Sequence, residues 1–327
     1  MVGAVDYIKG GKQKLYYSEG EVTFRNCPLC GSAECTPIHT ERGALKIVRC
    51  HGCGLLYTNP MVKEPEKNYW GDEAAYVEEA RLIFEGRARH HRDPNYVRDL
   101  KIIEKIKPSG NFLDIGTNMG FFLRHTKGKK WNVVGVEPSP ALSEIARKQF
   151  GLNVITAYVE NANFESNYFD IVTMTDVFEH IPEPKKMLLH IRRILKKDGI
   201  LFIKVPNGRF NVLKLRLSAV TRTTPENDIF DSYEHLNHYT QETLTRSLGE
   251  CGFKTKKVLI GRPIQLPAWH RYVGHYYQYP SPAVLDLKSY TLRTLCYFIS
   301  LVEFFVRCGS VGYCAPNIIV IAGRDDV

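Results

Sequence analysis

No stretch of this 327-residue chain is apolar for long enough to span a bilayer. The longest candidate, Leu292–Val306 (LRTLCYFISLVEFFV), falls short of the roughly 20 residues a spanning helix needs and carries Glu303, so it reads as a buried or interfacial helix. The opening residues, MVGAVDYIKGGKQKLYY, lack the apolar run of a secretory signal, and a cytoplasmic protein is expected. Internal repeats and low-complexity tracts are also missing, which sets aside solenoid and fibrous architectures. What is there, 44% hydrophobic and 24% charged residues, describes an ordinary globular protein. The formal charge of +9, from 44 Lys and Arg against 35 Asp and Glu, favours anionic partners without choosing among phosphorylated metabolites, nucleic acid and acidic membrane surfaces.

Nine cysteines in a reducing compartment are not expected to pair as disulfides. Four of them form two knuckles, CPLCG with Cys27 and Cys30, and CHGCG with Cys50 and Cys53, in the pattern C-x2-C-x19-C-x2-C. Two residues between thiolates let both sulfurs face one ion, and Gly31 and Gly54 relax the turn that follows. Four thiolates suit tetrahedral zinc with no open position, hence a structural zinc ribbon over residues 1–60. Cys35, His39 and His51 are spare donors nearby and read as bystanders. Residues 61–84 read as a linker.

From about residue 85 onward, strand-like and helix-like segments alternate. A helical period covers Arg87–Lys107, NFLDIG (111–116) is a strand, Phe121–Lys127 begins a helix, and WNVVGVEP (131–138) is the next strand. Ser139 caps SPALSEIARKQFG, which closes on Gly151, and NVITAYV is strand three. FDIVTMTDV (169–177), the helix EPKKMLLHIRRILKKDG and the strand GILFIKVPN follow. Strands separated by helices of this length imply an α/β, doubly wound, mostly parallel sheet. Two irregular insertions, at about 208–239 and 263–315, flank the helix QETLTRSLGECGF and the strand TKKVLIGR; PNIIVIAGR is a last strand, expected antiparallel at the sheet end.

The turn after the first strand, DIGTNMG, leaves the edge where open parallel sheets bind ligands. Gly116 and Gly120 let the backbone approach a ligand, and Asn118 between them tolerates positive φ. A dinucleotide needs G-x-G-x-x-G, and the third glycine is absent. Asp114 would repel a pyrophosphate but suits a cationic amino-acid group, and Glu137 can accept from both hydroxyls of a ribose.

With these residues the chain resembles the class I S-adenosylmethionine-dependent methyltransferases over roughly residues 85–260 and the last strand. The motifs that carry the likeness are DIGTNMG, VVGVEPSP and FDIVTMTDVFEHIPEPKKMLLHIRRILKKDGILFIKVPN. The resemblance implies a seven-stranded Rossmann-like sheet. It implies too that Asp114, Gly116 and Gly120 line the methionine side of the cofactor, Glu137 its ribose, Tyr158 and Val159 its adenine, and Thr175 and Asp176 the lip near the sulfonium. Family members more often have glycine where Asn118 stands. The ribbon followed by such a core is similar to a bacterial and archaeal subgroup associated with sugar and cell-envelope biosynthesis.

The resemblance makes a small or lipid-linked carbohydrate the expected acceptor, at a hydroxyl whose proton a base removes. His180, in the Glu-His pair after strand four, is the first candidate base, with a structural histidine as the bland alternative. A second cluster, DSYEHLNHYT (231–240), offers His238 as a further catalytic candidate. His235 and His238 have the spacing of a metal pair, but no third ligand is evident, and a capping role with Thr240 is the plainer account. HRYVGHYYQYP (270–280) could grip a sugar, a nucleotide or a polyprenyl-phosphate, or pack as a lid, and the apolar helix after it is expected buried beneath that lid, with peripheral membrane contact the alternative. Two further functions stay open: an RNA methyltransferase, since ribbons and positive charge occur there too, and a non-catalytic module that docks a partner through its ribbon.

Overall fold

The computed structural model describes residues 16–65, 73–86, 88–90, 92–221, 229–262, 271–273, 276–278 and 287–326. Its centre is a seven-stranded sheet of β1 (Ser109–Ile115), β2 (Lys130–Val136), β3 (Val154–Ile155), β4 (Phe169–Thr175), β5 (Leu195–Pro206), β6 (Phe253–Gly261) and β7 (Asn317–Arg324). The order across the sheet is β6-β7-β5-β4-β1-β2-β3. Strands β5, β4, β1, β2 and β3 pair in parallel, whereas β7 is antiparallel to both β5 and β6. The last strand therefore runs in the direction expected but is not at the edge. It inserts between β5 and β6, where its run Ile318–Ala322 is buried on both faces.

Both faces of the sheet are covered, which is why β5 reads as a continuous apolar run. Ile200 and Phe202 point to one side, into a cluster with Phe112, Ile171 and Ile319 under Leu100 and Ile103 of helix α2 (Asp93–Ile106). Leu201, Ile203 and Val205 point to the other. There they meet Leu188 and Ile191 of α4 (Pro184–Ile194) and Leu244 and Leu248 of α6 (Gln241–Glu250). Helix α3 (Pro140–Phe150) starts and stops as its sequence dictates: the Ser139 hydroxyl accepts from Leu142 N, Pro140 sits in the first turn, and Gly151 ends the helix at φ +61°.

Local periodicity misplaces several boundaries. The helix expected over Arg87–Lys107 starts only at Asp93, because Ala88–His90 pair as a strand with Tyr276–Gln278, which in turn pairs with Arg271–Val273. Helix α1 (Glu73–Phe84) occupies much of the expected linker. Leu123–Thr126 forms a single 3-10 turn instead of a helix, and the helix before β5 stops at Ile194. The first insertion is not irregular: it carries α5 (Gly208–Thr221). Most of HRYVGHYYQYP lies in, or has side chains in, the part of the chain outside the described residues.

The apolar segment is a longer helix than its sequence suggested, α7 (Leu287–Val306), and it is not buried. Tyr297 and Phe304 pack on the core, whereas Leu295, Phe298, Val302, Phe305 and Val306 are exposed on the opposite stripe. Among the described residues, no helix is long and apolar enough to cross a membrane.

The cysteine-rich segment is not a satellite. Its strands Cys35–Glu41, Leu45–Cys50 and Leu56–Thr58 form an antiparallel sheet that is completed by Asn237–His238 from the far end of the first insertion. Cys27, Leu29, Cys50, Leu55 and Tyr57 belong to the same apolar cluster as Leu113, Val172 and Leu201 of the central sheet.

Candidate functional site

Strands β1 and β2 are adjacent and parallel, so their C-terminal ends open on one edge. The chain leaves β1 through Gly116 at φ +71°, Asn118 at +52° and Gly120 at +84°. Asn118 holds its left-handed conformation with its own side chain, whose Oδ1 accepts from Met119 N at 2.6 Å. The glycines have a second reason beside the one the motif suggested. A Cβ on Gly116 would lie 2.6 Å from Val177 Cγ2, and one on Gly120 would collide with Leu152 and crowd Ala146. Packing within the protein, together with positive φ, forbids a side chain at both.

Glu137, the first residue after β2, ties the turn to the second strand. Its Oε2 accepts from Asn118 N at 2.8 Å and its Oε1 from Ser139 N at 2.9 Å. Each oxygen retains acceptor capacity toward the open edge. Burial raises the pKa of this carboxyl, against the two amide bonds that lower it. Asp114 accepts from the hydroxyls of Thr173, at 2.7 Å, and Thr117, at 3.1 Å. Its burial outweighs those bonds and pushes its pKa up to about 7.

These residues border a cavity of about 540 Å³, a volume that suits a small-molecule ligand. Asp114, Gly116, Asn118 and Glu137 line one end of it; Tyr158, Val159, Thr175 and Asp176 line its floor and lip. Gly120 is not in the lining and acts through the shape of the turn. The Thr175 hydroxyl is buried with no hydrogen-bond partner among the described residues. Asp176, itself at φ +56°, forms an ion pair with Arg92 ahead of α2. Deeper in the lining, Lys204 of β5 donates to Asp99 of α2 at 2.9 Å, both buried.

The far end of the cavity is made by Glu179, His180 and His235. One donor atom from each lies within 4.8 Å of the other two. His180 Nδ1 faces the carbonyl of Glu234 at 3.1 Å, and the two imidazoles meet edge to face with centroids 4.7 Å apart. Burial, then the neighbouring His235, pushes the His180 pKa down to about 3; burial likewise takes His235 to about 4. Both rings are neutral at physiological pH, and His180 is a weak store for a proton.

His238 does not belong to this cavity. It sits in the ribbon sheet opposite Leu56, 3% exposed, with Nε2 3.4 Å from the Thr58 hydroxyl and its ring edge-on to Phe230. The ring that His235 meets is that of His180, not that of His238. Residues i and i+3 diverge here because Asn237–His238 have turned into a strand. Thr240 caps α6, as its sequence indicated, accepting from Thr243 N.

What holds His235 in place comes from the cysteine-rich segment. The buried carboxylate of Glu41 accepts from Ile229 N, Phe230 N and Ser232 N at 2.9–3.0 Å. Arg25 donates to Leu236 O at 2.6 Å, and Thr58 Oγ1 donates to His235 O at 2.9 Å. The four knuckle sulfurs converge, with Cys27 and Cys53 at 3.5 Å and Cys30 and Cys50 at 3.4 Å. Thiolates about 2.3 Å from a tetrahedral zinc would stand about 3.8 Å apart, so the set fits that ion after a small relaxation. Burial pushes the Cys27 thiol up to about 11, a cost that a bound cation removes. The two spare histidines are occupied elsewhere: His51 with Thr36 at 2.6 Å, His39 with Glu41 at 3.7 Å.

Sequence reasoning missed Arg92, Thr117, Glu179 and Lys204. Only Glu179 had a signal, as the partner of His180 in the Glu-His pair; the others are ordinary polar residues until the fold gathers them.

This sheet order, with an antiparallel β7 between β5 and β6 and a glycine turn facing a ribose-competent glutamate, defines a Rossmann-like methyltransferase. A family model described as a methyltransferase domain matches residues 88–258, just over half of the chain, and the chain belongs to that family, the class I S-adenosylmethionine-dependent methyltransferases. A protein of Methanocaldococcus jannaschii of no stated activity is 32% identical over 163 residues, covering 50% of this chain and 73% of that one. A ubiquinone biosynthesis O-methyltransferase of Histophilus somni is 24% identical over 201 residues, 52% of this chain and 84% of its own. Among solved structures, a Thermotoga maritima methyltransferase described as a possible histamine N-methyltransferase is 21% identical with a TM-score of 0.46, covering 79% of this chain and 100% of that one.

Proposed function

We propose that this enzyme methylates a hydroxyl of a small or lipid-linked carbohydrate metabolite. The observation that carries the reading is a single cavity that joins the β1–β2 edge to the Glu179–His180–His235 corner. One end offers a turn and a carboxylate matched to a ribose and an amino-acid tail. The other offers neutral acceptors matched to a hydroxyl. The O-methyltransferase named among the relatives supports oxygen as the acceptor atom.

In this reading Asp114, Gly116 and Asn118 hold the amino-acid side of S-adenosylmethionine, Glu137 its ribose, and Tyr158 and Val159 its adenine. Thr175 and Asp176 form the lip. When bound, the cofactor supplies a methyl carbon activated by its sulfonium. The Thr175 hydroxyl, buried and lacking a partner among the described residues, is one polar group such a ligand would satisfy. Arg92 fixes Asp176, and the buried Lys204–Asp99 pair keeps the wall beside it rigid. His180 accepts a hydrogen bond from the acceptor and orients it. Its depressed pKa makes it a poor final home for the proton.

Two further features belong to the proposal. The tetrathiolate holds a structural zinc, which stiffens the segment that carries His235. The exposed apolar stripe of α7 favours an acceptor with a lipid tail, presented at a membrane surface. The RNA reading is less well supported, since Arg92 and Lys204, the cations of the lining, are both spent in ion pairs. A docking ribbon is disfavoured, because its cysteine knuckles pack into the core.

Transfer of labelled methyl from S-adenosylmethionine into metabolite and lipid extracts, resolved by mass, tests the reading. A labelled glycolipid or sugar is the expected product. Label found only in an RNA fraction, or in no extract although S-adenosylhomocysteine binds, overturns it.

A further inference from the structure

From the corner of the cavity we infer a divalent-cation site formed by Glu179, His180 and His235, open on its cavity side. Three donor atoms from two separate segments lie within 4.8 Å of one another. Donors held about 2.0–2.2 Å from one ion stand about 3–4 Å apart, so closure of about an ångström completes the set. A second observation points the same way. Both oxygens of Glu179 are buried, the residue is 2% exposed, and neither oxygen has a hydrogen-bond partner among the described residues although the side chain borders the cavity. A carboxyl in that condition either keeps its proton or meets a cation, and a cation entering from the cavity replaces the proton.

The His180 ring is prepared in the way a metal-binding histidine is. Its Nδ1 is turned to the Glu234 carbonyl at 3.1 Å, and the His235 ring meets it edge to face. A ring whose one nitrogen donates to a carbonyl presents the lone pair of the other. The local charge is compatible. Arg92 is the opposing cation but is neutralised by Asp176, Lys204 is paired with Asp99, and Lys214 donates to the Ile229 carbonyl at 3.1 Å. Two imidazoles and one carboxylate suit a first-row divalent ion such as Mn2+ or Zn2+, and three protein donors leave positions for water or for an acceptor oxygen.

With the His180 ring engaged as a ligand, the acceptor oxygen is oriented not by that ring but by the ion. An oxygen bound to it loses its proton to solvent near neutral pH, and the oxygen stays behind as an anion held by the cation. This catalytic role rests on the methyl-acceptor reading; the binding of the ion does not.

The test is a Mn2+ titration of the full-length protein, followed by electron paramagnetic resonance of the free ion, since Mn2+ binds poorly to the thiolates of the ribbon. One Mn2+ per chain is expected, with affinity lowered at least tenfold in Glu179→Gln and in His235→Gln. Retained S-adenosylhomocysteine binding in each variant shows that it is folded; should one fail to fold, His180→Gln takes its place. No Mn2+ or Zn2+ bound beyond the tetrathiolate, or equal binding by wild type and folded variants, overturns the site. Failure of Mn2+ to bind while methyl transfer proceeds sinks this inference and leaves the methyltransferase reading standing. Mn2+ bound without any methyl transfer supports the site and counts against the acceptor reading.

Discussion

The two ends of the cavity are built on opposite plans. The β1–β2 end is local: Asp114, Gly116, Asn118 and Glu137 fall within 24 residues, and the hydrogen bonds that shape it run between neighbouring strand ends. The Glu179–His180–His235 end is assembled from three remote segments. Glu179 and His180 follow β4, His235 comes from the first insertion, and Glu41, Arg25 and Thr58 hold that insertion from the other end of the chain. A site built locally is robust to damage elsewhere, whereas one braced at long range fails with its brace. The cysteine-rich segment is thus a structural member of the end that carries His235.

The sharpest way to break this comparison is through the tetrathiolate. Cys50→Ser, or removal of zinc by a strong chelator, is expected to cost several kcal/mol and lower the melting midpoint by roughly 10 °C or more. Differential scanning calorimetry reads it out, and an unchanged midpoint would mean that the sulfurs hold no structural ion.

A narrower cut is Glu41→Ala, which strands the buried amides of Ile229, Phe230 and Ser232. A loss of about 3–5 kcal/mol is expected from three unsatisfied donors. Turnover should fall far more than the affinity for S-adenosylhomocysteine, measured by calorimetric titration. Equal losses at both ends would refute the separation drawn here.

The local end carries a pH signature. The Asp114 carboxyl, pushed by burial to about 7, is protonated in folded and unfolded chains below about pH 4. Between about 4 and 7 the unfolded chain releases this proton first, so the group's effect is to lower stability as pH rises, flattening above about 7. The slope is at most about 1.4 kcal/mol per pH unit. Urea melts of the ligand-free protein across that window should lose this component in Asp114→Asn; an identical slope in the variant would disprove the assignment.

The smallest effect expected is from Glu137→Gln. It weakens two charge-assisted bonds and, in the proposed reading, a ribose contact; a loss of about 1.5–3 kcal/mol corresponds to roughly 10- to 150-fold in S-adenosylhomocysteine affinity. Thermal stability should change less than in Glu41→Ala, because the turn remains anchored by Gly116 and Asn118. An unaltered affinity would remove Glu137 from the cofactor end.

How far each end was legible follows from the same contrast. DIGTNMG and the glutamate after β2 could be read directly, because strand, turn and strand bring them together within one βαβ unit. Even there the packing of Gly120 against Leu152 and Ala146 was hidden, since a collision with a distant helix is invisible in a motif. His238 was misjudged for a related reason. Its spacing from His235 suggested a shared face, but pairing with Leu56 turned it into the ribbon sheet. The apolar run of α7 gave its helix correctly and its exposure wrongly, because hydropathy reports preference for burial and not whether a partner surface is present.

The sequence by itself determined the parallel α/β core, the glycine turn after β1 and the four-cysteine cluster, each encoded by periodicity or close spacing. Only the tertiary structure decided that the last strand lies inside the sheet, that the ribbon braces the first insertion, and that Glu179, His180 and His235 share a corner. The physical reason is range. Hydrophobic period and turn chemistry act between residues a few positions apart, whereas the Glu179–His180–His235 corner exists only once burial of the common core has drawn together segments 54 to 211 residues apart.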